Sequence, residues 1–345
     1  PFFILLIIKK PFSLEKEKLS TQESKENDKS YIIKYGISLV VFVIVMGLSW
    51  VIHLMKITQI TDFPVNFSPP VTNAIDDFVD FLVVNFAWIF DWMSDQAKVL
   101  IGKIRDFLIW VPWPFTILAI MYTGWKVASR NVGIGSAIAL LLLGLFNLWV
   151  SAMVTIAIMV IAVLISIVIG IPLGIIAASS NRFDAAIKPV LDGMQTMPSF
   201  VYLVPGIMFF GLGNVAAILA TVLYAIPPCI RLTNLGIRQV DIAVVEAGTA
   251  FGSNRMQLLT KVQIPMAIPT IMAGINQTVM MALAMVTIAA MVGAGGLGAD
   301  VFRAMGQLEQ GDAVIAGLGI VVLAIVIDRI SQGYINNRNQ TTSIE

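Results

Sequence analysis

One cysteine and one histidine are all that 345 residues supply of the two side chains most used for soft-metal binding and nucleophilic chemistry. Cys229 stands alone in an apolar run, so neither a disulfide framework nor a thiolate metal site is available. His53 lies near a predicted helix end with no second ligand or catalytic partner at useful spacing, and it reads as an interfacial side chain. Charge is scarce too. Only 12% of residues are charged and they nearly cancel, to +1, which argues against nucleic acid as a partner. No GxxxxGK(S/T) phosphate loop occurs, the one Gly-Lys pair, Gly102-Lys103, being followed by Ile; HExxH and GxSxG are missing as well. With no nucleophile-and-base pair and no ligand set, an intramembrane enzyme is disfavoured, and no metal or cofactor is expected to bind this chain.

What fills the chain is apolar. With 58% apolar residues and a mean hydropathy of +0.87, it lies far outside the soluble range, and its runs reach the roughly 20 residues that a bilayer-spanning helix needs. An all-α integral membrane protein follows. Candidate spans fall near 35–55, 113–128, 132–149, 151–178, 198–212, 214–230, 264–291 and 313–331. The run at 198–212 holds Pro198, Pro205 and Gly206, and is expected to be irregular or tilted. If the spans alternate, Lys126, Arg130, Arg182, Lys188, Arg231, Arg238, Arg255, Lys261, Arg329 and Arg338 share one side, the cytoplasm, and beyond residue 112 Arg303 alone marks the other.

The ends differ from this core. Residues 1–34 form a polar tail, lysine-rich over 9–34, with the composition of a disordered segment; the opening PFFILLII is too short to span and lacks a signal-peptide cleavage pattern. An additional membrane helix occupies 35–58, and a short tail 339–345. Between 59 and 112 lies an external segment in which seven aspartates (Asp62, Asp76, Asp77, Asp80, Asp91, Asp95, Asp106) alternate with Phe78, Phe81, Phe86, Trp88, Phe90 and Trp92 at helical spacing. Two readings stand: an amphipathic helix at the interface, or an aromatic box for a cation. All seven tryptophans precede residue 150, mostly near span ends, as interfacial anchors do.

Polar features inside the apolar half carry the functional argument. On the span from 264, Thr270, Gly274, Gln277 and Thr278 recur at three- and four-residue spacing with Asn276 beside them; they either bond between helices or line a pathway. GIPLG at 170–174 reads as close packing with a kink, and Asp328 as a partner for Arg329. GAGGLG at 293–298 satisfies GxGxxG literally, yet no strand precedes it and it follows a membrane helix, so a dinucleotide site is rejected. Gly293, Gly295, Gly296 and Gly298 are read instead as a flexible turn at a candidate outer gate. Most telling is the polar interruption at 241–265. Asp241 is placed to cap a short helix, Gly252 to end it in the left-handed region, Ser253 to cap the next and Pro265 to open a membrane helix.

Glu246, Ala247, Gly252, Val262, Ile264 and Pro265, with Gly248 in place of a second Ala, resemble the EAA loop of ABC importer permeases. From about Asn131 to Arg338 the runs GIPLGI, KPVLDGMQTMPSFVYLVPGIMFFGLGN, AIPPCIRLTNLGIRQV, FGSNRMQLLTKVQIP, PTIMAGINQTVMMALAMV and GAGGLG are similar to the glycine betaine and proline betaine importers. The resemblance covers roughly six-tenths of the chain. It implies a type I ABC importer permease-like helix bundle, with peripheral spans at 113–150 and a core at 151–338. It further implies a homodimer in the bacterial inner membrane, two cytoplasmic ATPase subunits that hold ATP and Mg, and a separate solute-binding protein delivering a compatible solute for osmoprotection. A self-sufficient channel, a secondary transporter, or a permease for another small solute are the alternatives, and the first two would not need the hairpin.

Overall fold

The computed structural model describes residues 23–54 and 68–342, and every regular element among them is helical. The chain divides into two compact units, residues 1–77 and 78–345. In the first, α1 (Glu23–Leu54) carries the apolar run 35–54, whose large side chains are exposed as a lipid-facing helix requires. It begins well before that run, so the expected disorder does not hold over 23–34. Once nucleated, a helix adds one hydrogen bond per residue and runs on into a polar flank. The rest of the expected tail, residues 1–22, and Asp62 lie outside the described residues.

The long helix α2 (Ser68–Trp110) begins in the first unit and continues into the second, with one non-helical residue, Phe86. Pro112 then disfavours helical backbone at Val111, and the chain turns 94° into α3 (Trp113–Val127). There follow α4 (Arg130–Leu145), α5 (Trp149–Ser179), α6 (Asn181–Thr196), a 3-10 turn (Ser199–Tyr202), α7 (Leu203–Phe210), α8 (Asn214–Arg238), α9 (Ile242–Ala250), α10 (Arg255–Leu258), a π turn (Leu259–Gln263), α11 (Ile264–Ile288), α12 (Leu297–Gly306) and α13 (Gln310–Thr342). The last runs through the expected 339–345 tail as far as Thr342.

Among the described residues five stretches are long and apolar enough to cross a membrane: 35–54, 149–179, 214–238, 255–292 and 310–333. The bent pair α2 and α3 makes a sixth. The sequence reading of eight is corrected. The run at 132–149 yields the short α4, and that at 198–212 breaks into a 3-10 turn and a helix of 8 residues, as its prolines and glycine foretold.

α8 is the centre of the second unit, with α5 on one side and α11 on the other. Glycines make this possible. A Cβ at Gly170 would lie 2.9 Å from Cys229, one at Gly174 2.6 Å from Thr233, one at Gly236 2.9 Å from Thr270 and one at Gly274 2.9 Å from Leu232. Small residues one turn apart on α5 let two backbones meet, the commonest way membrane helices gain van der Waals contact. Two buried hydroxyls in this core bond within their own helices, Thr221 to Ala217 O at 2.7 Å and Thr278 to Gly274 O at 2.9 Å. Asp328 does not pair with Arg329: its carboxylate accepts from Gln332 at 2.8 Å and from Asn276 at 3.5 Å.

The charge distribution gives a direct test of sidedness. In a Cys229→Ala background, Arg255→Cys should resist an impermeant thiol reagent in intact cells and Glu309→Cys should react; equal labelling would overturn the assignment.

Candidate functional site

The hairpin between α8 and α11 is built almost as its residues prescribe. Asp241 accepts a hydrogen bond from Ala243 N at 2.9 Å and starts α9, and Gly252 ends it at φ +80°, with Ser253 N donating to Gly248 O at 3.1 Å. The next cap is Asn254, not Ser253. Asn254 Oδ1 accepts from Gln257 N at 2.8 Å while Gln257 Oε1 accepts from Asn254 N at 3.0 Å, a reciprocal box closed to Ser253, whose third residue on is Met256 rather than Glu or Gln. The second short helix also does not stop. It passes through the π turn into α11, with Pro265 in the first turn, so the hairpin is continuous with a membrane span.

Gly248 lets α9 fold back on this helix: a Cβ there would meet Leu258 Cδ1 at 2.8 Å. Val262 and Ile264 are half-buried in the joint, while Glu246, Ala247, Gly252 and Pro265 are exposed. Sequence reading overlooked Phe251, which is 91% exposed at the tip; Ile242 at the start of α9 and Met256 on α10 are exposed as well. The available signal was a bulky apolar residue directly before the turn glycine of a polar hairpin. Apolar side chains held out from a capped, rigid hairpin suit a protein partner.

Next to the hairpin lies a polar knot that sequence reading also missed. Arg238, the last residue of α8, donates to Asn234 Oδ1 (2.8 Å), Asn181 Oδ1 (2.8 Å) and Ala177 O (2.7 Å). The buried Asp184 accepts from Asn234 Nδ2 at 2.7 Å and pairs with Lys188 at 3.0 Å and Arg238 at 3.7 Å. The hydrogen bond from Lys188, helped by Asn234 and by the charge of Arg238, outweighs burial and holds the Asp184 carboxyl below its ordinary value of 3.8. A depressed carboxyl contributes its stability above the unfolded value and loses it as pH falls through the lower folded one. Melting in detergent should therefore show no loss from this group between about pH 6 and 8. Asp184→Asn should lower stability by roughly 1.5–3 kcal/mol, the range for hydrogen bonds to charged groups.

At the opposite end, the GAGGLG loop is anchored rather than flexible. Gly295 N donates to Asn214 Oδ1 at 2.8 Å, Leu297 N to Thr155 Oγ1 at 2.9 Å, and Gly213 N to Val292 O at 2.8 Å. Gly293 and Gly296 have φ of +82° and +97°, and a Cβ at Gly298 would lie 2.5 Å from Thr287 O. The glycines serve close backbone approach, and the loop closes α5, α8 and α11 together.

The five polar positions on α11 separate. Thr270, Gly274 and Thr278 pack toward α8, and Asn276 turns to Asp328 on α13, its Oδ1 buried without a partner among the described residues. Gln277 is exposed, on the same open face as Pro269, Ala273 and Ala284. Among the described residues the aromatics pair with one another: Phe90 of α2 stacks on Phe209 at 4.8 Å and meets Phe210 edge-on, and Tyr202, buried against Tyr224, donates its hydroxyl to Met194 O.

A helical bundle in which an exposed, capped hairpin runs directly into a core membrane span is the architecture of an ABC importer permease. Residues 170–340 match the family described as "Binding-protein-dependent transport system inner membrane component". The chain is 43% identical over 263 residues to the glycine betaine/proline betaine transport system permease protein ProW of Escherichia coli (strain K12), covering 76% of this chain and 74% of that one. It is 44% identical over 273 residues to the glycine betaine/carnitine transport permease protein GbuB of Listeria monocytogenes serotype 1/2a (strain 10403S), covering 77% and 95%. A solved structure of the MetNI methionine ABC transporter shares the fold, with a TM-score of 0.50 at 21% identity over 53% of this chain and 92% of that one. The chain belongs to the glycine betaine/proline betaine permease family: an inner-membrane transport subunit, not an enzyme.

Proposed function

We propose that this chain is the transmembrane subunit of an ATP-driven importer for a quaternary-ammonium compatible solute such as glycine betaine or proline betaine. The exposed hairpin carries this reading: α9 ends in Phe251 and Gly252, free of the bundle yet continuous with α11. Two ATPase subunits, holding ATP and Mg, grip that hairpin from the cytoplasm, and a separate binding protein delivers solute outside. Closure of the ATPase pair moves the hairpin, and alternating access follows from rigid-body movement of the spans. The relatives named for betaine transport support the solute class.

A second copy completes the path. A polar side chain on the open face of α11 is costly against lipid and stable against water, so Gln277 faces a path between two copies, with Ala273 and Ala284 leaving room beside it. Selectivity belongs mainly to the binding protein, because the described aromatics pair with one another rather than around an open cage, and a path must release its cargo.

Co-expression tests both parts. The chain should co-purify as a dimer with its ATPase and import betaine only with ATP and the binding protein; ATP-independent uptake by the chain alone would favour a channel or secondary transporter. In a Cys229→Ala background, Gln277→Cys should react with a small water-soluble thiol reagent, and Val168→Cys, on an exposed apolar face, should not; equal rates would remove Gln277 from the path.

A further inference from the structure

The hairpin explains where an ATPase would push, but not how a push on the short α9 reaches the far side of the bundle. α9 itself makes no deep packing, with none of its residues buried. The connection must run through the chain on either side: forward through the π turn into α11, or backward through residues 239–241 into α8. The backward route ends on Arg238, and its guanidinium is bonded to three separate places in the fold.

We infer that Arg238 is the positioning residue that carries movement of the hairpin into α5 and α6, an inference that rests on the importer reading above. Ala177 O belongs to the last turn of α5, Asn181 is the first residue of α6, and Asn234 lies one turn back on α8. A planar guanidinium with donors in fixed directions holds these three helix ends in one geometry, whereas a lysine ammonium could hold them only loosely. Asp184, one turn into α6, adds its charge to the same cluster. Further along, Asp192 of α6 pairs with Arg231 of α8, so α6 is fastened to α8 at two points.

The consequence reaches the outer loop. α6 leads into the 3-10 turn and α7, and Tyr202 in that turn donates to Met194 O of α6. Beyond α7, Gly213 N bonds to Val292 O beside the GAGGLG loop. A pull on the C-terminal end of α8 thus moves α6 with it, and through α6 the 3-10 turn and α7, which lead to the GAGGLG loop.

The test uses the complete complex, permease with ATPase and binding protein, reconstituted in liposomes, with solute uptake and ATP hydrolysis measured together. Arg238→Lys should insert, co-purify with the ATPase, melt close to wild type and hydrolyse ATP, while solute imported per ATP falls about ten-fold, within the usual range of inter-site coupling. Asn181→Ala, truncating an exposed residue and so independent of any folding defect in the first variant, should lower the same ratio less. Arg105→Lys, on α2 and paired only with its chain neighbour Asp106, should keep it. A wild-type ratio in both Arg238→Lys and Asn181→Ala would overturn the inference, as would uptake that falls only in step with ATPase co-purification. Absence of ATP-dependent uptake in the wild type would instead overturn the importer reading, and this inference with it.

Discussion

A Gly252→Leu permease should insert normally and lose most of its ATP-driven uptake. Nothing lies within 4 Å of where a Cβ at Gly252 would sit, so crowding inside the chain is not the cause. The cause is φ of +80°, a region that costs a branched-chain residue about 1–2 kcal/mol. On an exposed turn the backbone relieves that strain by rotating, which swings Phe251 and unmakes the bond from Ser253 N to Gly248 O. Docking geometry is lost even though the membrane core is untouched, and uptake should fall about ten-fold or more, the scale of a lost coupling energy. Gly252→Asn should retain more activity, because Asn visits the left-handed region most readily after Gly. Wild-type uptake in a well-inserted Gly252→Leu complex would contradict this account.

Gly296→Ala should be the more damaging change for the fold. Here conformation and space act together: φ is +97°, and an added methyl would press into Thr155 Oγ1, the atom that accepts from Leu297 N. Backbone strain of about 1–3 kcal/mol adds to overpacking of about 1–3 kcal/mol. The loop then parts from α5, leaving a buried N–H unpaired. Melting in detergent should drop by several degrees with uptake lost. Thr155→Val, which removes the acceptor without adding strain, should cost only the unpaired donor, about 1–3 kcal/mol. An equal loss in the two variants would mean that the hydrogen bond alone matters.

Features set by neighbouring residues were legible in the sequence. Asp241, Gly252 and Pro265 act locally through a cap, a positive φ and a missing N–H, and each stands where its chemistry placed it. The choice of Ser253 over Asn254 failed by one residue because both can cap; Gln257 three residues after Asn254 was the deciding signal. Features set across the fold were not legible. Arg238 finds Asn181 and Ala177 at separations of 57 and 61 residues, and Leu297 finds Thr155 at 142. GAGGLG therefore read as slack chain, since a glycine that allows freedom and one that allows close approach are the same letter. Thr270 and Gln277 looked alike for the same reason: helical spacing fixes a face but not what lies against it.

The glycine contacts along α8 also limit what kind of movement the bundle can make. Each side of α8 meets a partner at matched notches, Cys229 over Gly170 and Thr233 over Gly174 on one flank, Thr270 over Gly236 and Leu232 over Gly274 on the other. Sliding α8 by one turn, or rolling it about its own axis, would drive side chains into backbone at all four notches at once. Tilting the three helices as one body disturbs none of them. The permease therefore has a keyed transmission rather than a sliding one: α5, α8 and α11 keep their places against one another while the group moves.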